Sequence, residues 1–173
     1  IPYGEILKVE VDGKLVLKGS AKSFFEILTM VEVIETEKID VSRVNSFERM
    51  FFENWGLKKL DVSQWNVGIG ASLDSMFYNV RNLENLDVSR WQVSNVTDMT
   101  FVFSGMRSLK NLDVSQWDVR KVEKMGAMFQ SVELESLDFS NWDNSAYGLT
   151  MESMFLDARK LNQLRLGKNF KFS

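Results

Sequence analysis

The sequence predicts a leucine-rich-repeat-like α/β solenoid of about five 26-residue strand-plus-helix repeats, preceded by an N-terminal hairpin-and-helix cap. Two observations carry that prediction. The hexapeptide Leu60-Asp61-Val62-Ser63-Gln64-Trp65 returns with Arg90 for the glutamine as Leu86–Trp91, unchanged as Leu112–Trp117 and, more varied, as Leu137–Trp142, at steps of 26, 26 and 25 residues, with a degenerate copy starting at Leu164. Between the copies, apolar residues fall at i, i+3 and i+4, the spacing of one face of a helix. A strand joined to a helical turn, repeated every ~20–29 residues, is the leucine-rich-repeat pattern. A single unit of this size cannot bury its own apolar face, whereas stacked neighbours bury it continuously.

Residues 1–30 lie outside the repeat and read as the cap. Asp12-Gly13 between Ile6–Val11 and Leu15–Leu17 is a hairpin signal. A two-residue turn would pair Val11 with Lys14, and a three-residue loop would put Leu7, Val9, Val11, Leu15 and Leu17 on one face; both registers stay open. Ser20 or Ser23 would then cap a helix carrying Phe24, Phe25, Ile27 and Leu28. Residues 31–173 are the solenoid. Its strand halves are Leu57/Leu60/Val62, Leu83/Leu86/Val88 and Leu109/Leu112/Val114, ending in the two-residue alternation of a strand with one buried side. Its helical halves are Phe47/Met50/Phe51, Leu73/Met76/Phe77, Met99/Val102/Phe103, Met125/Met128/Phe129 and Met151/Met154/Phe155.

Composition narrows the chemistry. The 173 residues include no Cys and no His, which excludes thiol catalysis, imidazole acid–base chemistry, disulfides and Cys/His metal sites. Lys and Arg number 21 against 24 Asp and Glu, and they are scattered, so the chain carries no nucleic-acid footprint. Glu26 and Glu32 interrupt the richest apolar stretch, leaving no run of membrane-spanning length. A chain that starts at Ile1 reads as a piece of a longer protein.

The motif Leu-Asp-Val-Ser-x-Trp-x-Val-Ser-x-Val-x-x-Met-x-x-(Met/Val)-Phe, best preserved from Leu86 to Phe103, resembles the 26-residue repeat of bacterial surface proteins related to the BspA-like leucine-rich-repeat adhesins. The ending Leu164–Phe172 is similar to the segment that closes such arrays. The resemblance implies an extracellular module of a larger bacterial surface protein with a role in adhesion. Members of that family often carry Cys three residues after the Met-Phe phenylalanine, where this chain has Val80, Met106, Val132 and Ala158. Three of the four are larger apolar side chains able to fill the same interior position.

Two columns of the repeat are candidates for function. The tryptophans Trp65, Trp91, Trp117 and Trp142 could form an aromatic platform for sugars, but a repeated indole where the chain leaves the strand reads rather as core, its N–H bonded to a backbone carbonyl. The Met and Phe stripe likewise reads as core filling. Asp61, Asp87, Asp113 and Asp138 alternate outward from the buried leucines and valines, and stacked rungs would align them about 4.8 Å apart. Each Asp either caps its own Asp-x-Ser turn or offers its charge to a partner. With Lys59, Asn85 and Asn111 they form the candidate ligand-binding face. A glycosidase needs two carboxylates in unlike environments, and a repeat gives its Asp residues the same one. The expectation is therefore a non-catalytic surface module without cofactor or metal, binding a host or matrix protein through the strand face. The alternatives are a structural stalk and a glycan-binding module.

Overall fold

The structure is a computed structural model that describes residues 6–145 and 149–172. It contains seven short strands among those residues: β1 (Lys8–Val9), β2 (Leu15–Ser20), β3 (Val33–Ile34), β4 (Ile39–Ser46), β5 (Lys59–Leu60), β6 (Ser136–Phe139) and β7 (Gln163–Leu166). All of their pairings are parallel. Strands β1, β3 and β5 form one ladder, which an Asn85–Asn111 bridge and the β6–β7 pair carry along the molecule. A second ladder begins with β2–β4 and continues through bridges linking Ser72, Asp98, Lys124 and Thr150. Partners are about one repeat apart, as in Val33↔Lys59 and Ser136↔Gln163. The chain therefore coils, one repeat per turn, as a parallel β-solenoid of about six turns.

This overturns the strand-plus-helix expectation. No helix occurs among the described residues, and the segments read as helical are pairs of consecutive tight turns. In residues 47–54, Met50 N–H donates to the Phe47 carbonyl and Asn54 N–H to that of Phe51, at 3.1 and 3.4 Å. The third residue of each turn has positive φ, Arg49 at 56° and Glu53 at 56°. An i to i+3 bond with positive φ at the third position is the signature of a type II turn. The same positions recur as Ser23/Ile27, Ser75/Asn79, Phe101/Gly105, Ala127/Ser131 and Ser153/Asp157. Two turns in series send residues 47, 50, 51 and 54 inward, which reproduces the i, i+3, i+4, i+7 spacing of a helix face.

Hydrogen bonding explains why the chain prefers this path. The N–H groups of Phe47, Arg49, Phe51 and Glu53 donate to the carbonyls of Ser72, Asp74, Met76 and Tyr78 in the next rung, at 2.8–3.0 Å. Carbonyls of Ser46, Glu48, Met50 and Phe52 accept in turn from Ala21, Ser23, Phe25 and Ile27. Alternate amides thus serve their own turn and the neighbouring rung, so the backbone is paired along its length. A helix would close the bonds within itself and leave the rungs joined by side chains alone.

The N-terminal hairpin is likewise absent. β1 pairs with β3 and β2 with β4, both in parallel, so the chain around Asp12-Gly13 is a corner between two ladders and not a reversal. The expected cap helix is the first pair of tight turns, with Ser23 and Ile27 at φ 61° and 60°. Residues 1–5 of the expected cap lie outside the described residues.

One core runs through the coil. Phe25, Phe51, Phe77, Phe103, Phe129 and Phe155 stack rung on rung with ring centroids 5.6–6.0 Å apart. Two asparagines interrupt it and both tie rungs together. Asn54 is fully buried, donates to the Phe25 carbonyl and accepts from Leu28 N–H. Asn144 donates to the Lys171 carbonyl at 2.7 Å and accepts from Lys171 N–H at 2.8 Å, clasping the last described segment. Phe170 then lies against Phe139 and Trp142 at the C-terminal end.

Candidate interaction face

The strand ladder sets the acidic column on the surface. Asp61, Asp87 and Asp113 are exposed and Asp138 is half-buried. One oxygen, Oδ1, of each of the first three accepts both the N–H and the hydroxyl of the serine two residues on, at 2.7–3.1 Å. Asp138 Oδ1 accepts Ser140 N–H at 2.8 Å. Each Asp therefore closes an Asx-type turn. The Ser89 hydroxyl first, and its N–H second, hold the Asp87 carboxyl below its usual range. The Ser140 hydroxyl and N–H do the same for Asp138, with Arg165 adding to the effect.

The turn bonds occupy one oxygen and leave the other. Along the column the ends are neutralised: Glu35, in the register of Asp61 one rung earlier, pairs with Lys8 at 2.7 Å, and Asp138 Oδ2 meets Arg165 Nε at 3.8 Å. Between them, Asp61, Asp87 and Asp113 form no ion pair among the described residues, and Arg90 acts on Asp87 only through its field. Lys59, Asn85 and Asn111 are exposed beside them in the same ladder, Asn85 and Asn111 being bridge partners. A shallow groove lined by Asp113, Ser115, Ser136, Asp138, Gln163 and Arg165 runs along the C-terminal end of this face.

The indole column lies elsewhere. Trp91, Trp117 and Trp142 are buried, and their Nε1 atoms donate to the carbonyls of Val62, Val88 and Val114 in the preceding rung at 2.8–3.0 Å. Trp91 and Trp117 stack at 6.3 Å. Trp65 is buried as well, but its Nε1 has no hydrogen-bond partner among the described residues. No cluster of carboxylates among the described residues is placed to hold a metal ion. No helix there is long and apolar enough to cross a membrane.

One surface cluster is not read from the repeat pattern. On the outer side of the tight turns, the Phe52 and Tyr78 rings stack at 5.0 Å, and Tyr78 meets Phe101 edge-on at 5.7 Å. Three residues past Phe52, the half-exposed Trp55 carries the Arg81 guanidinium 4.9 Å above its ring. The 26-residue spacings of Phe52 to Tyr78 and of Trp55 to Arg81 are the signal that would have revealed it.

Fold and face together define a repeat protein, a parallel β-solenoid whose rungs are single 26-residue units and whose outer columns are regular. The family model described as "Mycoplasma protein of unknown function, DUF285" matches residues 20–112 and again residues 71–171, and the chain belongs to that family. No curated protein and no solved structure matches the chain.

Proposed function

We propose that this chain is a non-catalytic interaction module of a bacterial cell-surface protein of the BspA-like kind, docking a basic region of a host or matrix protein on its strand face. The observation that carries the reading is the acidic column: three carboxylates in successive rungs, each with one oxygen fixed by its turn and the other free, between ends closed by ion pairs. A rigid backbone presents them, so little ordering cost accompanies binding. Charge of this kind steers a cationic partner and loses effect as salt screens it. Burial of the column indoles argues against the sugar-platform alternative. The near-identical surroundings of the carboxylates also weigh against acid–base catalysis, which needs them unlike.

The test pairs affinity with stability. The double variant Asp87→Asn, Asp113→Asn and the parent chain are passed over immobilised matrix proteins, with an oligolysine peptide as the reference cation. The expected result is salt-sensitive binding by the parent and a loss of about tenfold or more in the variant, which stays folded with only a small fall in melting temperature, since Asn keeps the turn acceptor and loses only the charge. Retained affinity, with or without a fall in melting temperature, would reduce these carboxylates to turn closures.

A further inference from the structure

We infer that the aromatic cluster on the tight-turn surface is a self-docking face, on which a second copy of this chain sits about a twofold axis that sets rung two of each copy against rung three of the other.

The first observation is where the exposed apolar side chains fall. Ile27, Met30, Trp55 and Phe101 are all at least one-third exposed, and Phe52 and Tyr78 extend the patch between them. Ile27 and Met30 break the repeat: the equivalent positions in the next three rungs are Glu53, Asn79 and Gly105, and Gly56, Asn82 and Ser108. A contiguous apolar surface with Trp, Tyr, Met and Arg in it has the composition of an interface centre. Three rungs on from Phe52, Glu53 and Trp55 the same outer positions are Gln130, Ser131 and Glu133, so the patch is bounded.

Charge complementarity points to the occupant. At the centre of the patch, Glu53 in rung two and Arg81 in rung three form no ion pair among the described residues, and Arg107 repeats Arg81 in rung four; Arg49 is already held by Glu26 at 3.1 Å. In a twofold arrangement residue i of one copy meets residue j of the other, and j meets i. Setting rung two against rung three therefore brings Glu53 of each copy to Arg81 of its partner, twice. The same operation sets the apolar corner of rung one, Ile27 and Met30, over the small residues Gly105 and Ser108 in rung four. An unrelated partner would have to supply both complements independently, whereas an identical surface supplies them by symmetry. The strand ladder takes no part, so this inference and the proposed function stand or fall separately.

Sedimentation of the intact chain over a range of concentrations is the first measurement. A monomer–dimer equilibrium is expected, and acrylamide quenching should report it, because Trp55 is the one clearly exposed indole of the five. Its quenching should fall as the dimer forms. Glu53→Arg and Arg81→Glu should each weaken the dimer by about tenfold or more, since each puts like charges together twice. The double exchange Glu53→Arg, Arg81→Glu should restore it, and that rescue cannot come from the Arg81–Trp55 contact, which the exchange also removes. Circular dichroism melts identify any single variant that fails to fold, in which case the parent's dilution series and its quenching decide. A chain that stays monomeric, a dimer indifferent to both reversals, or reversals that the exchange does not rescue would each overturn the assignment.

Discussion

At the scale of the residue, the corner tryptophans combine ring burial with a bond to the rung before. Trp117 is enclosed on both sides, stacked on Trp91 and bonded to the Val88 carbonyl at 3.0 Å. Trp117→Ala should cost about 3–5 kcal/mol, as large-to-small core changes do. Trp65 separates the two contributions, because it is buried without a hydrogen-bond partner for its N–H among the described residues. Trp117→Phe should therefore cost about 1 kcal/mol more than Trp65→Phe, the net worth of one hydrogen bond, in paired denaturant melts. Equal costs would mean that the bond contributes nothing. Asp74 behaves oppositely to the turn carboxylates. Its burial lifts its pKa, Asp98 and Glu48 add to the lift, and the Ser75 hydroxyl only partly offsets it. A carboxyl raised in the fold favours the folded state while protonated and loses that advantage as pH rises through its unfolded value of about 3.9 and then its higher folded value. Asp74→Asn should raise the melting temperature at pH 7, and the gain should vanish below about pH 4. The depressed carboxyls of Asp87 and Asp138 have the reverse sign, so their contribution is present above about pH 4 and is lost on acidification through their lowered folded values.

At the scale of the element, the tight-turn pair makes a prediction that a helix reverses. Ser131 and Ser153 sit at φ 57°. An L residue there is strained by about 1–2 kcal/mol, while glycine costs about 0.5–1 kcal/mol in chain entropy. Ser131→Gly and Ser153→Gly should each be neutral or stabilising by up to about 1 kcal/mol, where in a helix each would cost about that much. Thermal melts decide the sign, and far-ultraviolet circular dichroism should lack the helical double minimum. This is also where the sequence was misleading. Its repeat length, its buried columns and the outward Asp residues are all legible, because Leu60, Val62 and Asp61 alternate as a strand requires. The turns are not, because Phe47, Met50, Phe51 and Asn54 point inward at helical spacing, and the positive-φ sites hold Arg, Glu, Ile and Phe as well as Asn79 and Gly105. With glycine at one of these sites, nothing local signals a left-handed residue. The hairpin at Asp12-Gly13 failed for a related reason: a tight corner needs the same residues whether the chain then reverses or continues round the coil.

At the scale of the whole molecule, stability should be a sum over rungs and the contacts between neighbours. Ion pairs cross rungs in the same way, as in Glu32–Lys58 at 2.7 Å, Glu84–Lys110 at 2.6 Å and Glu133–Lys160 at 2.8 Å. Being exposed, they add little each and chiefly favour register. Deleting residues 86–111 removes one full period and joins Asn85 to Leu112. In the shortened coil Phe129 follows Phe77 in the ring stack, and the Trp117 indole takes over the Val62 carbonyl that Trp91 used. Two exposed ion pairs are lost, Asp98–Lys124 and Glu84–Lys110, and the second loss leaves Glu84 beside Glu135, a like-charge pair worth well under about 1 kcal/mol at the surface. The product should fold cooperatively, with a denaturant m value reduced in proportion to the surface removed. Deleting residues 86–98 instead brings Met99 to the place of Leu86, half a turn out of phase, and sets tight turns against the strand ladder. That chain should show no cooperative transition in urea, and a melt as sharp as that of the full-period deletion would contradict a core built by rung-on-rung stacking.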